Sequence, residues 1–193
     1  MFRPAPVLAA ALLAAAPAAW AEPVTYEVDA SHAQTLFSYD HLGYSTTWGM
    51  FSGWEGTIAF DAEDPANSSV DVSIPASAMF TGWEQRDEHF SSPDFLDAAA
   101  NDMVRFVSTG IEVTGEDTAQ ITGDLTLGGV TRSVTLDAQL TQTGEHPQSG
   151  RPWIGFDATT TLLRSDFDAG AFAPFVSDEV EVQISLEAGQ PEA

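Results

Sequence analysis

Gly123-Asp-Leu-Thr-Leu-Gly-Gly-Val-Thr-Arg-Ser-Val-Thr-Leu-Asp-Ala-Gln-Leu140 decides the fold class. Apolar side chains fall on Leu125 and Leu127, then on Val130, Val134, Leu136, Ala138 and Leu140, with mostly polar residues between them. A period of two on both arms is the pattern of paired strands with one dry face. Glycine reaches positive φ without steric penalty, so Gly128-Gly129 can close a tight hairpin. A two-residue and a four-residue loop both put the two apolar sets on one face, so the face is fixed and the register stays open. A slip by one residue would expose every one of those side chains.

Outward from this hairpin the chain reads as further strands of the same kind. Residues 24–29, 35–42, 70–74, 103–108, 153–163 and 180–186 carry strand patterns, with Ile111 and Val113 beyond Gly110. Trp48, Met50, Ile58 and Phe60 share even parity across two segments that Gly53 and Gly56 separate or bend, which places all four on one face. Residues 141–152 read as a polar loop. Residues 81–102 break the alternation, set charges beside Trp83, Phe90 and Phe95, and predict one or two short helices across an end of the sheet. There is no βαβ rhythm, so the expected class is all-β, an antiparallel barrel or sandwich.

Residues 1–21 have one charge at Arg3, an apolar run from Val7 to Ala16 and a small-x-small end at Ala19-Trp20-Ala21. That is the pattern of a cleaved signal peptide, with residues 22–193 as a single exported, periplasmic domain. No later segment is apolar enough to span a bilayer. The sequence has no cysteine, which removes disulfides, thiolate metal sites and thiol nucleophiles together. It has 29 acids against 6 arginines, no lysine and a net charge of −23. Such a surface repels nucleic acid and anionic lipid, so neither is expected as a partner. Nothing indicates an oligomer.

Several short motifs, weak singly, are specific in their order and spacing. They are His32 followed by Phe37 and His41-Leu42-Gly43; Gly82 with Arg86-Asp87-Glu88-His89 leading to Asp94-Phe95; the stretch from Gly123 to Arg132; and Gly155-Phe156 with Arg164-Ser-Asp-Phe167. With these the chain resembles the YceI-like family of exported lipid- or polyisoprenoid-binding proteins across nearly all of residues 22–193. The resemblance implies an extended, lipocalin-like barrel of about eight antiparallel strands. Its interior would hold an amphiphilic isoprenoid such as a quinone, the only bound group expected.

The candidate ligand-binding residues are Phe37, Tyr39, His41, Trp48, Met50, Ile58, Phe60, Trp83, Phe90, Phe106, Leu125, Leu127, Val134, Leu136, Phe156 and Leu162. Periodicity alone describes them as a closed core. The resemblance implies that they enclose a slot, and flat rings with a flexible thioether suit a polyprenyl chain.

Six further polar residues, His32, Arg86, Asp87, His89, Arg132 and Arg164, are expected in structural roles. Adjacent helical positions point about 100° apart, so Arg86-Asp87-Glu88-His89 forms no chelate by itself, and an Arg–carboxylate pair is the expected use of the run. His32, His41 and His89 are open between a converging metal or quinone-carbonyl set and separate rim groups. No nucleophile elbow, P-loop or zinc-hydrolase motif occurs, so the expectation is a non-catalytic binder without a metal. The alternatives are a hydrolase or isomerase at a rim carboxylate or His, and a ligand-free structural protein with a filled core.

Overall fold

The computed structural model describes residues 22–192; the signal-peptide reading of 1–21 lies outside them. The hairpin at Gly128-Gly129 joins β8 (Thr118–Leu127) to β9 (Val130–Glu145). Leu127 stands directly opposite Val130, so the loop is the two-residue one. Gly128 and Gly129 have φ of 56° and 78°, the left-handed pair that a twisted hairpin needs and that side chains resist.

The other strands are β1 (Val24–Val28), β2 (Gln34–His41), β3 (Ser45–Phe51), β4 (Glu55–Phe60), β5 (Ser69–Pro75) and β6 (Met79–Phe80). After them come β7 (Met103–Val113), β10 (Pro152–Leu163) and β11 (Glu179–Gly189). One helix, α1 (Glu84–Ser91), lies within the segment where alternation fails. β9 runs to Glu145, so the loop predicted for 141–152 shrinks to 146–151.

The eleven segments make eight long strands, because three strands are broken. β1 leads into β2, β3 into β4, and β5 into β6; each half pairs with the matching half of the neighbouring strand. β11 closes the ring by pairing with both β1 and β2. The result is the antiparallel eight-stranded barrel that was predicted, closed and in meander order.

Each break reverses which parity faces inward. Even residues point in on β1 (Tyr26) and odd ones on β2 (Phe37, Tyr39); odd on β3 (Phe51) and even on β4 (Ile58, Phe60). Even residues point in on β5 (Val72, Ile74), and Met79 does so on β6. Trp48 and Met50 were expected to share a face with Ile58 and Phe60, and this expectation fails. They lie opposite Ser38 and Leu36 on the outer surface, with Trp48 53% exposed. The link 52–54 slips the phase by one, and period two then turns every earlier side chain over.

Two apolar clusters occupy the interior. One gathers Trp54, Ile58, Phe106, Ile154 and Leu186. The other, nearer α1, gathers Phe37, Tyr39, Met79, Leu96 and Val182.

Candidate functional site

Between these clusters the barrel encloses a cavity of about 1040 Å³. It runs from α1 and the 164–178 link at one end to Pro65 and the β7–β8 turn (Glu116, Asp117) at the other. The 12 residues of β10, at about 3.3 Å each and a tilt near 40°, give the wall a height of roughly 30 Å.

Small residues at chosen wall positions keep this space open. Ala138 of β9 stands directly opposite Ala119 of β8 and Ala158 of β10, and all three line the cavity. Gly49 lies opposite Phe37, and a Cβ there would collide with that ring; a Cβ at Gly123 would collide with Phe106. These two rings therefore lie down against bare backbone and do not cross the bore. Other aromatics pack edge to face along the wall, as in Phe60–Phe156 with centroids 5.8 Å apart at 78°.

α1 borders one end and sorts its side chains by face. Gln85, Arg86, His89 and Phe90 border the cavity, whereas Glu84, Asp87 and Glu88 do not. Phe90 packs on Tyr39 at 5.9 Å and on Phe95 at 5.1 Å; His89 meets the Phe95 ring at 4.9 Å. Asp87 accepts hydrogen bonds from the backbone N–H and hydroxyl of Thr81, which ties the helix to β6.

The 164–178 link forms the other side of this mouth and is folded around Arg164. Its Nε donates to the Ser177 carbonyl at 2.9 Å, one terminal nitrogen to Ala169 and Ala171 at 2.8 and 3.0 Å, and the other to Val176 and Ser177 at 3.0 and 2.7 Å. Burial lowers the pKa of Arg164, opposed by the charge of Asp178. Asp178 is held low mainly by its hydrogen bond from the Ser165 hydroxyl, against the effect of burial. Leu42 donates its N–H to Phe175 O at 3.0 Å, and His41 bridges Val176, so β2 is tied to the same link. Leu42 and Phe172 have φ of 62° and 67°, strained for side chains of this size.

Polar groups along the cavity are few and unevenly placed. The lining acids are Glu116 and Asp117 at the far end and Asp157 on β10; the α1 end has His41, Arg86, His89 and Arg164. Two wall atoms, Thr35 Oγ1 and Trp54 Nε1, are buried without a hydrogen-bond partner among the described residues.

Fourteen of the sixteen predicted ligand-binding residues line the cavity; Trp48 and Met50 are outside it. Sequence reasoning missed Phe51, Trp54, Met79, Leu96, Phe172 and Phe175 as lining residues. Phe51, Trp54 and Met79 sit at or beside the breaks, and Phe172 and Phe175 in an irregular link, where alternation gives no signal. The expected Arg86–carboxylate pair does not form. Arg86 stacks over the Trp83 ring at 5.5 Å, and the ion pairs among the described residues are Asp29–His32 and Asp71–Arg105. Adjacent residues on one helix diverge, so Asp87 faces Thr81 while Arg86 faces the cavity.

The three histidines do not converge. His41 and His89 border the cavity, whereas His32 bonds Asp29 at 2.8 Å away from it. Asp29, His32 and Glu187 offer ligand atoms within 4.8 Å of one another, a donor set able to hold a cation, but Glu187 already accepts the Trp153 indole N–H at 2.9 Å. Arg132 is exposed near the β8–β9 turn, donates to the Thr131 carbonyl at 2.9 Å and lines nothing.

Residues 26–188 match the model of the YceI-like domain. The chain belongs to the YceI-like family. This YceI-like chain is 40% identical over 183 residues to a UPF0312 protein of Pseudomonas savastanoi, covering 95% of this chain and 94% of the relative. It is 38% identical over 181 residues to Protein YceI of Escherichia coli, covering 94% of each. The Campylobacter jejuni YCEI protein superposes with a TM-score of 0.71 at 28% identity, over 79% of this chain and 90% of that one. A domain from Saccharophagus degradans, described as polyisoprenoid-binding, shares the fold with a TM-score of 0.63 at 18% identity, over 86% and 98%.

Proposed function

We propose that the protein is a non-catalytic periplasmic carrier of an amphiphilic polyisoprenoid, such as a quinone, with the tail inside the barrel and the headgroup at the α1 end. The cavity of about 1040 Å³, walled by apolar and aromatic side chains, carries this reading. It stands at the upper end of the ~300–1,000 Å³ usual for ligand sites. The Saccharophagus relative's description as polyisoprenoid-binding and the export signal read at residues 1–21 support it.

Each methylene of a tail moved from water into such a wall contributes about 0.8 kcal/mol before the costs of association. One methylene more or less discriminates by only ~1–3 kcal/mol, so the bore selects by length and shape. His41, Arg86 and His89 offer the donors a carbonyl or hydroxyl headgroup needs at the mouth.

Native mass spectrometry of protein purified from its own host, with organic extraction of what it holds, tests the reading. A prenyl-bearing amphiphile recovered in stoichiometric amount is the expected result. Protein that is repeatedly ligand-free and takes up neither quinone nor prenol would overturn it.

A further inference from the structure

Large apolar side chains exposed on this barrel are distributed very unevenly. The exposed aromatics are Tyr44, Trp48, Phe80, Trp83, Phe172 and Phe175, from 53% to 90% exposed, and all six belong to the α1 end. They come from the β2–β3 turn, the outer faces of β3 and β6, the start of α1 and the 164–178 link. On the outer face of the sheet Phe80 pairs directly with Met50, which extends the patch. The opposite end exposes only Val24 and Val113 among the large apolar residues described. A rim of this kind is far from the scattered apolar exposure normal for a soluble surface.

The rim is continuous with the cavity. Leu42, Trp83, Phe172 and Phe175 are both exposed and part of the cavity lining, so an apolar path passes from the outside to the bore beside the polar groups His41, Arg86 and His89. Around it stand exposed acids, among them Asp40, Glu84, Glu88, Asp94, Asp166 and Asp168. This arrangement narrows the choice of occupant. A second copy would bring the same net charge of −23 against those acids, and an anionic lipid surface would be repelled likewise. A zwitterionic phospholipid surface meets both features. Its interfacial layer accepts aromatic side chains, and its ammonium groups face the acids.

We propose that the α1 end docks on a zwitterionic phospholipid bilayer, with the aromatic rim at headgroup depth and the cavity mouth open to the acyl chains. An apolar tail then passes from bilayer to bore without crossing water. The cargo half of this inference rests on the carrier reading above; the docking half stands without it.

The test uses the chain from Glu22 onward, which contains every described element, and phosphatidylcholine vesicles without cargo. The wild-type chain is expected to co-float with the vesicles, and acyl chains brominated near the headgroup to quench Trp48 and Trp83. Replacing Trp83 by Phe is expected to reduce the quenching, because Trp54 is buried and Trp153 belongs to the opposite end. Tyr44→Ser/Phe80→Thr removes two rings that do not line the cavity. It is expected to weaken vesicle partition by about tenfold or more, while uptake of detergent-dispersed prenol stays within about twofold. Val24→Ser at the far end is expected to leave partition unchanged. Added phosphatidylglycerol is expected to weaken binding at low salt.

Absence of co-flotation, partition unaffected by Tyr44→Ser/Phe80→Thr, or binding strengthened by anionic lipid would each overturn the proposal. So would a dimer in sedimentation that the same double variant dissociates, since the rim would then belong to a second copy. Docking without any cargo uptake would instead sink the carrier reading and leave the bilayer contact standing.

Discussion

Replacing Arg164 by alanine would strip its five donated hydrogen bonds from four carbonyls, those of Ala169, Ala171, Val176 and Ser177. A hydrogen bond from a charged donor is worth about 1.5–3 kcal/mol when buried. Arg164 is only half-buried, so water reaches part of the vacated space and about 1 kcal/mol per carbonyl is the fitting figure. Removing a partly desolvated charge returns some of that, which leaves a loss of about 3 kcal/mol. In a chain of this size the melting temperature should fall by roughly 6–12 °C.

The Asp71–Arg105 pair gives the internal comparison. Its bonds of 3.1 and 2.7 Å are geometrically good, but both side chains are more than half exposed. Arg105→Ala should therefore cost under about 1 kcal/mol. Arg164→Lys keeps the charge with three donors on a different geometry, and should fall between the two. Urea unfolding of the three variants, with hydrogen exchange of the 165–178 amides, reads the result. An Arg164→Ala loss no larger than that of Arg105→Ala would refute the claim that this side chain organises the mouth.

Three further outcomes are expected. Thr35→Val removes a buried hydroxyl that lacks a partner among the described residues and should stabilise by about 1 kcal/mol in thermal melts; a loss of stability would show that the hydroxyl is satisfied after all. Ala138→Phe places a ring in the open bore between Ala119 and Ala158, so the fold should survive while uptake of a prenol falls by about tenfold or more; unchanged uptake would mean that this stretch holds no ligand. The His32–Asp29 contact makes a pH prediction with a definite sign. His32 is raised by its hydrogen bond to Asp29, then by the charges of Asp29 and Glu187. Burial works to raise Asp29, but the bonds from His32 and Ser31 outweigh it and the net shift is downward. The pair's contribution is complete from about pH 4 to about 6.5; it fades as pH falls through the folded Asp29 value or rises through the folded His32 value. An NMR titration should find the His32 midpoint above about 6.5, and Asp29→Asn should lower it; a midpoint indifferent to that substitution would contradict the pairing.

Most of the barrel was legible because alternation is a direct print of the pleat. β8, β9, β10 and β11 are long, unbroken across the bore and half-wetted, so Leu125, Leu136, Phe156 and their neighbours fell where period two put them. Trp48 and Met50 failed for a reason equally local. Parity was carried from Ile58 and Phe60 back through 52–54, and a glycine-bearing link preserves composition while shifting phase. Nothing in periodicity separates a filled interior from an open one either. That difference lies in Ala119, Ala138 and Ala158 meeting on adjacent strands, and in glycines under Phe37 and Phe106, both of which need the register first. Arg164 likewise looked like a motif residue; its carbonyl partners lie in a link without sequence pattern.

The three strand breaks give the tube two independently geared storeys. The storey nearer α1 is walled by β2, β3 and β6, the other by β1, β4 and β5, and the five strands β7 to β11 run through both. One residue deleted between 52 and 54 would turn β3 inside out, carrying Trp48 and Met50 into the lumen and Phe51 onto the surface, with β4 undisturbed. The calibre of the entrance can thus drift in evolution while the floor of the tube keeps its shape.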